Sequence, residues 1–185
     1  MAQLNLKQIR GLAAGSVLFL DSDSIITEDF NKLNWNVTDQ KLNISGSIQL
    51  DNTFTSASPL DEGELRWNVD DLTLDIGLNG GSVLQTGQEV LYRVKNGSGT
   101  NISNGDVVAF DAGPGNSGIL GGQLAIADGT LPSRYTMGIA TQNIPDGDDG
   151  YVTHFGKVRG IDTTGGSEYR QDGDELWLSP TNTGQ

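Results

Sequence analysis

The chain has 185 residues, enough for one or two small domains, with 24 acidic and 11 basic side chains, a net charge of −13 and a hydrophobic fraction of 35%. So acidic a molecule would track a phosphate backbone against its own field, which argues against a nucleic-acid partner. The absence of cysteine excludes disulfides, thiol nucleophiles and cysteine-based zinc sites, and no apolar run approaches the roughly 20 residues needed to span a bilayer, so no membrane insertion is expected.

Residues 1–32 read as a lead-in arm. Leu4 and Leu6 alternate, Ile9 and Leu12 follow around Lys7 and Arg10, and residues 17–20 form a strand-like run into the acidic turn Asp21-Ser22-Asp23. The basic residues ahead of an apolar run have the outline of an export signal. Gly15 and Ser16 interrupt that run, however, and no small-residue cleavage pattern precedes Asp21.

Residues 33–78 write one pattern twice. LNWNVTDQKLNI (33–44) and LRWNVDDLTLDI (65–76) lie 32 residues apart, as Trp35 and Trp67 do, and share seven of twelve residues. In the first copy Leu33, Trp35 and Val37 alternate, a polar connector spans 38–41, and Leu42 and Ile44 resume the alternation. In the second, Leu65, Trp67 and Val69 lead into a turn at Asp70 and Asp71, and Leu72, Leu74 and Ile76 return. Period-two alternation around a short polar turn predicts a β-hairpin in each copy. An isolated hairpin is marginal in water, because one strip of apolar side chains does not offset the ordering entropy of its own backbone. Each copy therefore needs an opposing surface, supplied by the other copy or by the same segment of another chain, with both tryptophans in the inward register. The intervening segment 51–63, marked by Pro59 and Gly63, reads as a polar connector.

Residues 79–185 change style. Short β-branched runs alternate with Asn-Gly and Asp-Gly pairs such as Asn96-Gly97, Asn104-Gly105 and Asp146-Gly147, the pairs that accept positive φ in tight turns. Glycine supplies 26 residues, about twice its usual share of roughly 7%, and no segment sustains a 3.6-residue period. The prediction is an all-β chain: an extended arm, two short hairpins, and a small β-barrel or sandwich whose last strand contains Trp177.

Candidate chemistry is sparse. The run GPGNSG at 113–118 matches G-x-G-x-x-G, but a dinucleotide site requires a helix to open there, and Ile119-Leu120-Gly121-Gly122 is a poor helix start. His154 is the sole histidine and sits in an alternating strand without a sequence-evident partner. The acidic clusters Asp21/Asp23/Glu28/Asp29, Asp146/Asp148/Asp149 and Asp172/Asp174/Glu175 could gather calcium ligands, although they lack EF-hand spacing and aspartate beside glycine also makes ordinary turns. Paired carboxylates for glycan cleavage would need a long repeated groove, which the sequence does not show. No catalytic residue, metal or cofactor is assigned, and an enzyme is not expected.

The run 15–19 with its following Asp-rich turn, the aromatic-Asn-Val hairpins, and the stretch from GQEVLYRVKNGSGTNISNGDVVAF through GIATQNIPDGDDGYVTHFGKVRGIDTTG to GDELWLSP resemble tail fibres of tailed bacteriophages. The resemblance covers most of the chain. It implies a non-enzymatic virion structural protein, usually a homotrimer, assembled in the host cytoplasm and located in the virion tail. Its arm (1–32, through Leu4, Leu6, Ile9 and Leu12) would dock on tail or baseplate proteins. Residues 33–78 would form an intertwined stem packed through Leu33, Trp35, Val37, Leu42, Ile44, Leu65, Trp67, Val69, Leu74 and Ile76. Residues 79–185 would form the outward β-domain, with a host surface receptor as a further partner. Such fibres generally run on past this module to a receptor-binding tip, so an end at Gln185 implies a short adaptor-like fibre or a tip carried by another protein. The alternative is a capsid decoration or head-fibre protein, since residues 104–108, 137–140 and 156–158 also resemble the small barrels that cement capsids.

Overall fold

A computed structural model of the chain describes residues 17, 19–20, 26–27, 32–113, 115, 118–161, 171 and 173–185. The fold is all-β, and the chain divides into two compact units, residues 1–49 and 50–185. The division falls between the two repeats, so the segment 33–78 contributes one hairpin to each unit.

In the first unit, β1 (Phe19–Leu20) pairs antiparallel with β2 (Ile26–Thr27), and β3 (Leu33–Asn36) pairs with β4 (Lys41–Ile44). In the second unit, β5 (Leu65–Asn68) and β6 (Thr73–Gly77) form the second hairpin, and β7 (Val83–Gln85) adds a third antiparallel strand. A boundary after residue 78 would therefore cut through a sheet.

The remaining described strands are β8 (Val90–Asn96), β9 (Val107–Asp111), β10 (Leu120–Leu124), β11 (Thr136–Ala140) and β12 (Asp149–Phe155), which close into a barrel in the order β10-β8-β12-β11-β9. Only the β10–β8 pairing is parallel among these five. Val94, Val108, Met137, Ala140 and Val152 point inward from the strands. Ile102 and Ile144 enter the core from loops joined by an isolated bridge, and Tyr92, Phe110 and Leu124 pack around them. Each fully buried Val, Ile or Met contributes roughly 1.5–3 kcal/mol, so a core this small leans on ring closure, which pairs every edge and leaves none open.

Closure requires a close approach at Gly138. Its φ is 156°, it lies where the β9–β11 register shifts, and a Cβ there would stand 2.1 Å from the Thr153 carbonyl oxygen. Closure also explains a departure from the sequence reading. Residues 174–179 form no strand, and Trp177 is 83% exposed, because a closed barrel offers no edge for the tail to join. The tail is held at strand ends instead: Val107 N donates to Gly184 O (2.8 Å), Gly184 N to Ala125 O (2.7 Å) and Ala127 N to Ser179 O (2.9 Å).

Candidate functional site

The repeat in the sequence is a repeat in structure, down to single hydrogen bonds. In the first copy Leu33 pairs with Ile44 and Trp35 with Leu42; in the second Leu65 pairs with Ile76 and Trp67 with Leu74. Asn36 Oδ1 accepts from the backbone N–H groups of Thr38 and Asp39, both at 3.0 Å, and Asn68 Oδ1 accepts from those of Asp70 (3.0 Å) and Asp71 (3.3 Å). Asparagine at this place ties the turn to the end of the strand. Val37 and Val69 open the turns rather than extending the strands. Leu72, read from sequence as a strand residue, is the last turn residue and is 71% exposed.

The two faces of the second hairpin are covered in the reverse of the expected sense. Arg66, Asn68, Thr73 and Asp75 are buried, while Leu65 is 55% exposed and Trp67, Leu74 and Ile76 are only half-buried. Within the single chain, then, the polar register of the second hairpin is the covered one, and the register of Trp67 is left partly open. The cause is the connector ahead of the hairpin. It folds over the polar face, where Arg66 donates to Pro59 O (2.7 Å) and Ser58 O (3.0 Å), and its guanidinium lies 5.4 Å from the Phe54 ring centre. A polar connector can satisfy Arg66 and Asn68 but has little apolar surface to offer an indole. In the first copy Trp35, Leu42 and Ile44 are 43%, 52% and 41% exposed, and Val37 65%; Leu33 is half-buried.

A charged network fixes the second copy within its unit. The Asp71 carboxylate accepts from Lys157 Nζ, from Gln85 Nε2 (2.6 Å) and from Ser56 Oγ (2.8 Å), and these donors, Lys157 foremost, hold its carboxyl well below the usual carboxylate range. Arg159 lies 3.8 Å from the same carboxylate and binds the buried Glu89 carboxylate at 3.1 Å. Asp39, the equivalent of Asp71, accepts from Asn36 Nδ2 at 3.1 Å. Sequence reading missed this network because its direct contacts join residues up to 88 positions apart, as Asp71 and Arg159 are. One signal was available: Arg66 and Asp75, opposite in charge, replace Asn34 and Asn43 at the same cross-strand position of the repeat.

The other sequence candidates fare differently. Residues 113–118 connect β9 to β10, an antiparallel pair, so a strand and not a helix follows the glycines. His154 Nδ1 donates to Met137 O at 2.7 Å and its ring stands 4.9 Å from that of Tyr92, an arrangement without an orienting carboxylate. Asp146 accepts from Gly99 N (2.9 Å), and Asp149 pairs with Arg93 and Lys95. Among the described residues no three His, Asp or Glu side chains converge as a metal site, and no helix is long and apolar enough to cross a membrane. Leu4, Leu6, Ile9, Leu12, the cluster at 21–29 and Asp172 lie outside the described residues. Neither a family model, nor a curated protein, nor a solved structure matches the chain.

The two hairpins carry equivalent strips, each a Leu–Ile and a Trp–Leu cross-strand pair: the first is exposed at Trp35, Leu42 and Ile44 and half-buried at Leu33, the second exposed at Leu65 and half-buried at Trp67, Leu74 and Ile76.

Proposed function

We infer that the protein is a structural component of a bacteriophage virion, a tail fibre or fibre-like adaptor that takes part in host adsorption. It is a homotrimer assembled in the host cytoplasm, with residues 1–32 docked on tail or baseplate proteins. The observation that carries this reading is that both apolar strips, in the same register, are left exposed or only half-buried by the single chain, and that in the second hairpin the polar face is the covered one. Three copies around an axis would give each strip the opposing surface it lacks, through Leu33, Trp35, Leu42 and Ile44 and through Leu65, Trp67, Leu74 and Ile76. Val37 and Val69 would border the contact from the turns. The likeness of the sequence to tail-fibre modules supports the same assignment.

Sedimentation of the full chain tests the association. Wild type is expected to run as a trimer and Trp35→Ser/Trp67→Ser as smaller species, each lost aromatic contact costing about 3–5 kcal/mol. An unchanged trimer in the double variant would remove the stem. A labelled antibody on intact virions distinguishes the tail from the shell; decoration of the shell would favour the capsid-decoration or head-fibre role, which a compact closed barrel also suits.

A further inference from the structure

The barrel carries a second feature, made of different residues. Along the β8–β12 pairing Lys95 lies opposite Asp149, and Arg93 opposite Tyr151. Since Val94, between Arg93 and Lys95, and Val152, next to Tyr151, are fully buried, strand alternation turns Arg93, Lys95, Asp149 and Tyr151 outward. There they form one wall of a cleft of about 720 Å³, whose other sides come from residues 79–80, 142–143, 145 and 147–148 and from Glu62. That volume lies within the order of 300–1,000 Å³ typical of small-molecule sites.

We propose that this cleft binds a neutral saccharide. Its charged side chains are Glu62, Asp148 and Asp149 against Arg93 and Lys95, a balance of −1 in a chain of −13, so a nucleotide or a sulfated polymer would enter against the field. Apart from Pro145 and the Tyr151 ring, the side chains around it are polar, so an apolar ligand finds little to bury against. What remains is chemistry suited to hydroxyl groups. The planar polar side chains are held by partners within the chain: Gln142 Oε1 accepts from Ser82 Oγ (2.7 Å), Asn143 Oδ1 from Asn104 N (2.9 Å), and Arg93 binds Asp149 (2.5 Å). Pinned on one side, the amides and the guanidinium keep further N–H groups, and the carboxylates further lone pairs, for the adjacent hydroxyls of a sugar ring. Fixing them before binding lowers the ordering cost that a weak ligand must meet. The Tyr151 ring supplies an apolar surface for the C–H face of a pyranose.

The site lies wholly in residues 50–185 and does not rest on trimerisation, so the two readings fail separately. The test is saturation-transfer NMR on the full-length protein with maltotriose, cellotriose, mannotriose, galactobiose and chitotriose, with a heparin hexasaccharide and inorganic phosphate as anionic probes. At least one neutral saccharide is expected to receive saturation, with millimolar affinity, about −4 kcal/mol. In Tyr151→Ala and in Arg93→Gln the affinity should fall about tenfold or more, with circular dichroism and sedimentation unchanged. Both are outward side chains remote from the barrel core, so one variant stands if the other misfolds. Saturation of the anionic probes alone, no saturation of any neutral saccharide, or binding undiminished in both folded variants would each overturn the assignment.

Discussion

Gln40 and Leu72 hold the same left-handed backbone conformation, φ 54° at each, 32 residues apart at the same place in the two repeats. Neither is a glycine. A side chain there crowds the following carbonyl at a cost of roughly 1–2 kcal/mol, partly offset against the extra entropy glycine loses on folding. Leu72→Gly is therefore expected to raise stability by about 0.5–1 kcal/mol, and Leu72→Val to lower it by about 1–2 kcal/mol, since β-branching tolerates positive φ worst. Urea unfolding of both variants measures the difference; a glycine variant weaker than wild type would contradict the strain.

The two turn asparagines make the same local bonds but differ in burial. Asn68 is 1% exposed and also donates to Asp75 Oδ2 (2.9 Å) and Ser56 Oγ (3.1 Å), whereas Asn36 is half-buried. Asn68→Ala would leave buried acceptors unpaired and is expected to cost about 2–4 kcal/mol, against about 1 kcal/mol for Asn36→Ala. Equal losses by chemical denaturation would show that the turn alone, and not the buried row beneath it, decides the value.

The hairpins were legible in the sequence because their signal is local: alternation on either side of a turn, repeated at a fixed offset. The barrel was legible as a class, from glycine turns between β-branched runs, but its parallel β8–β10 contact joins strands with β9 between them in sequence, and no periodicity encodes it. Which hairpin face is covered was not legible either. Alternation shows that Trp67 and Arg66 point opposite ways, and apolar character alone assigns Trp67 inward. The outcome turned on residues 54–59, whose backbone carbonyls and single aromatic ring suit a guanidinium. Trp177 was misplaced for a similar reason: Leu-Trp-Leu has strand composition, but the barrel had already closed without it.

Asp71 ties stability to acid. Its carboxyl sits below the ordinary value of 3.8, chiefly through Lys157. A carboxyl whose folded pKa is depressed stabilises the fold fully above its unfolded pKa, and this contribution disappears as pH falls towards the folded value. Wild-type stability is thus expected to decline below a pH of about 4, with a shallower decline in Asp71→Asn, which is also less stable at neutral pH. Lys157 is 55% exposed, so salt near 1 M should weaken the pair, the screening length there being about 3 Å. Identical acid limbs in wild type and Asp71→Asn would remove this role.

Gly138 is a steric requirement of the barrel. A methyl group 2.1 Å from the Thr153 carbonyl forces β11 and β12 apart where they must pair, so Gly138→Ala is expected to cost more than about 3 kcal/mol, above the ordinary range for overpacking. Gly147→Ala, at a positive φ of 79° with open space around its Cβ position, should cost only about 1 kcal/mol of backbone strain. Thermal unfolding of the pair separates crowding from strain, and comparable losses would refute the close approach.

The chain's three tryptophans report on association without any added label. Trp177 is 83% exposed in the chain's tail, Trp35 is 43% exposed, and Trp67 is half-buried on the second strip. If the strips are covered by other copies, variants keeping one tryptophan and carrying Phe at the other two positions should behave in two classes. At micromolar concentration acrylamide should quench Trp177 freely and Trp35 and Trp67 poorly. Dilution through the dissociation range should shift the emission of Trp35 and Trp67 to the red while leaving Trp177 unchanged. The transition should be steep in concentration, because three chains separate together and each gives up two strips at once. Trp35 quenched as readily as Trp177 at every concentration would mean that its strip stays wet, and the hairpins would then have no role in assembly.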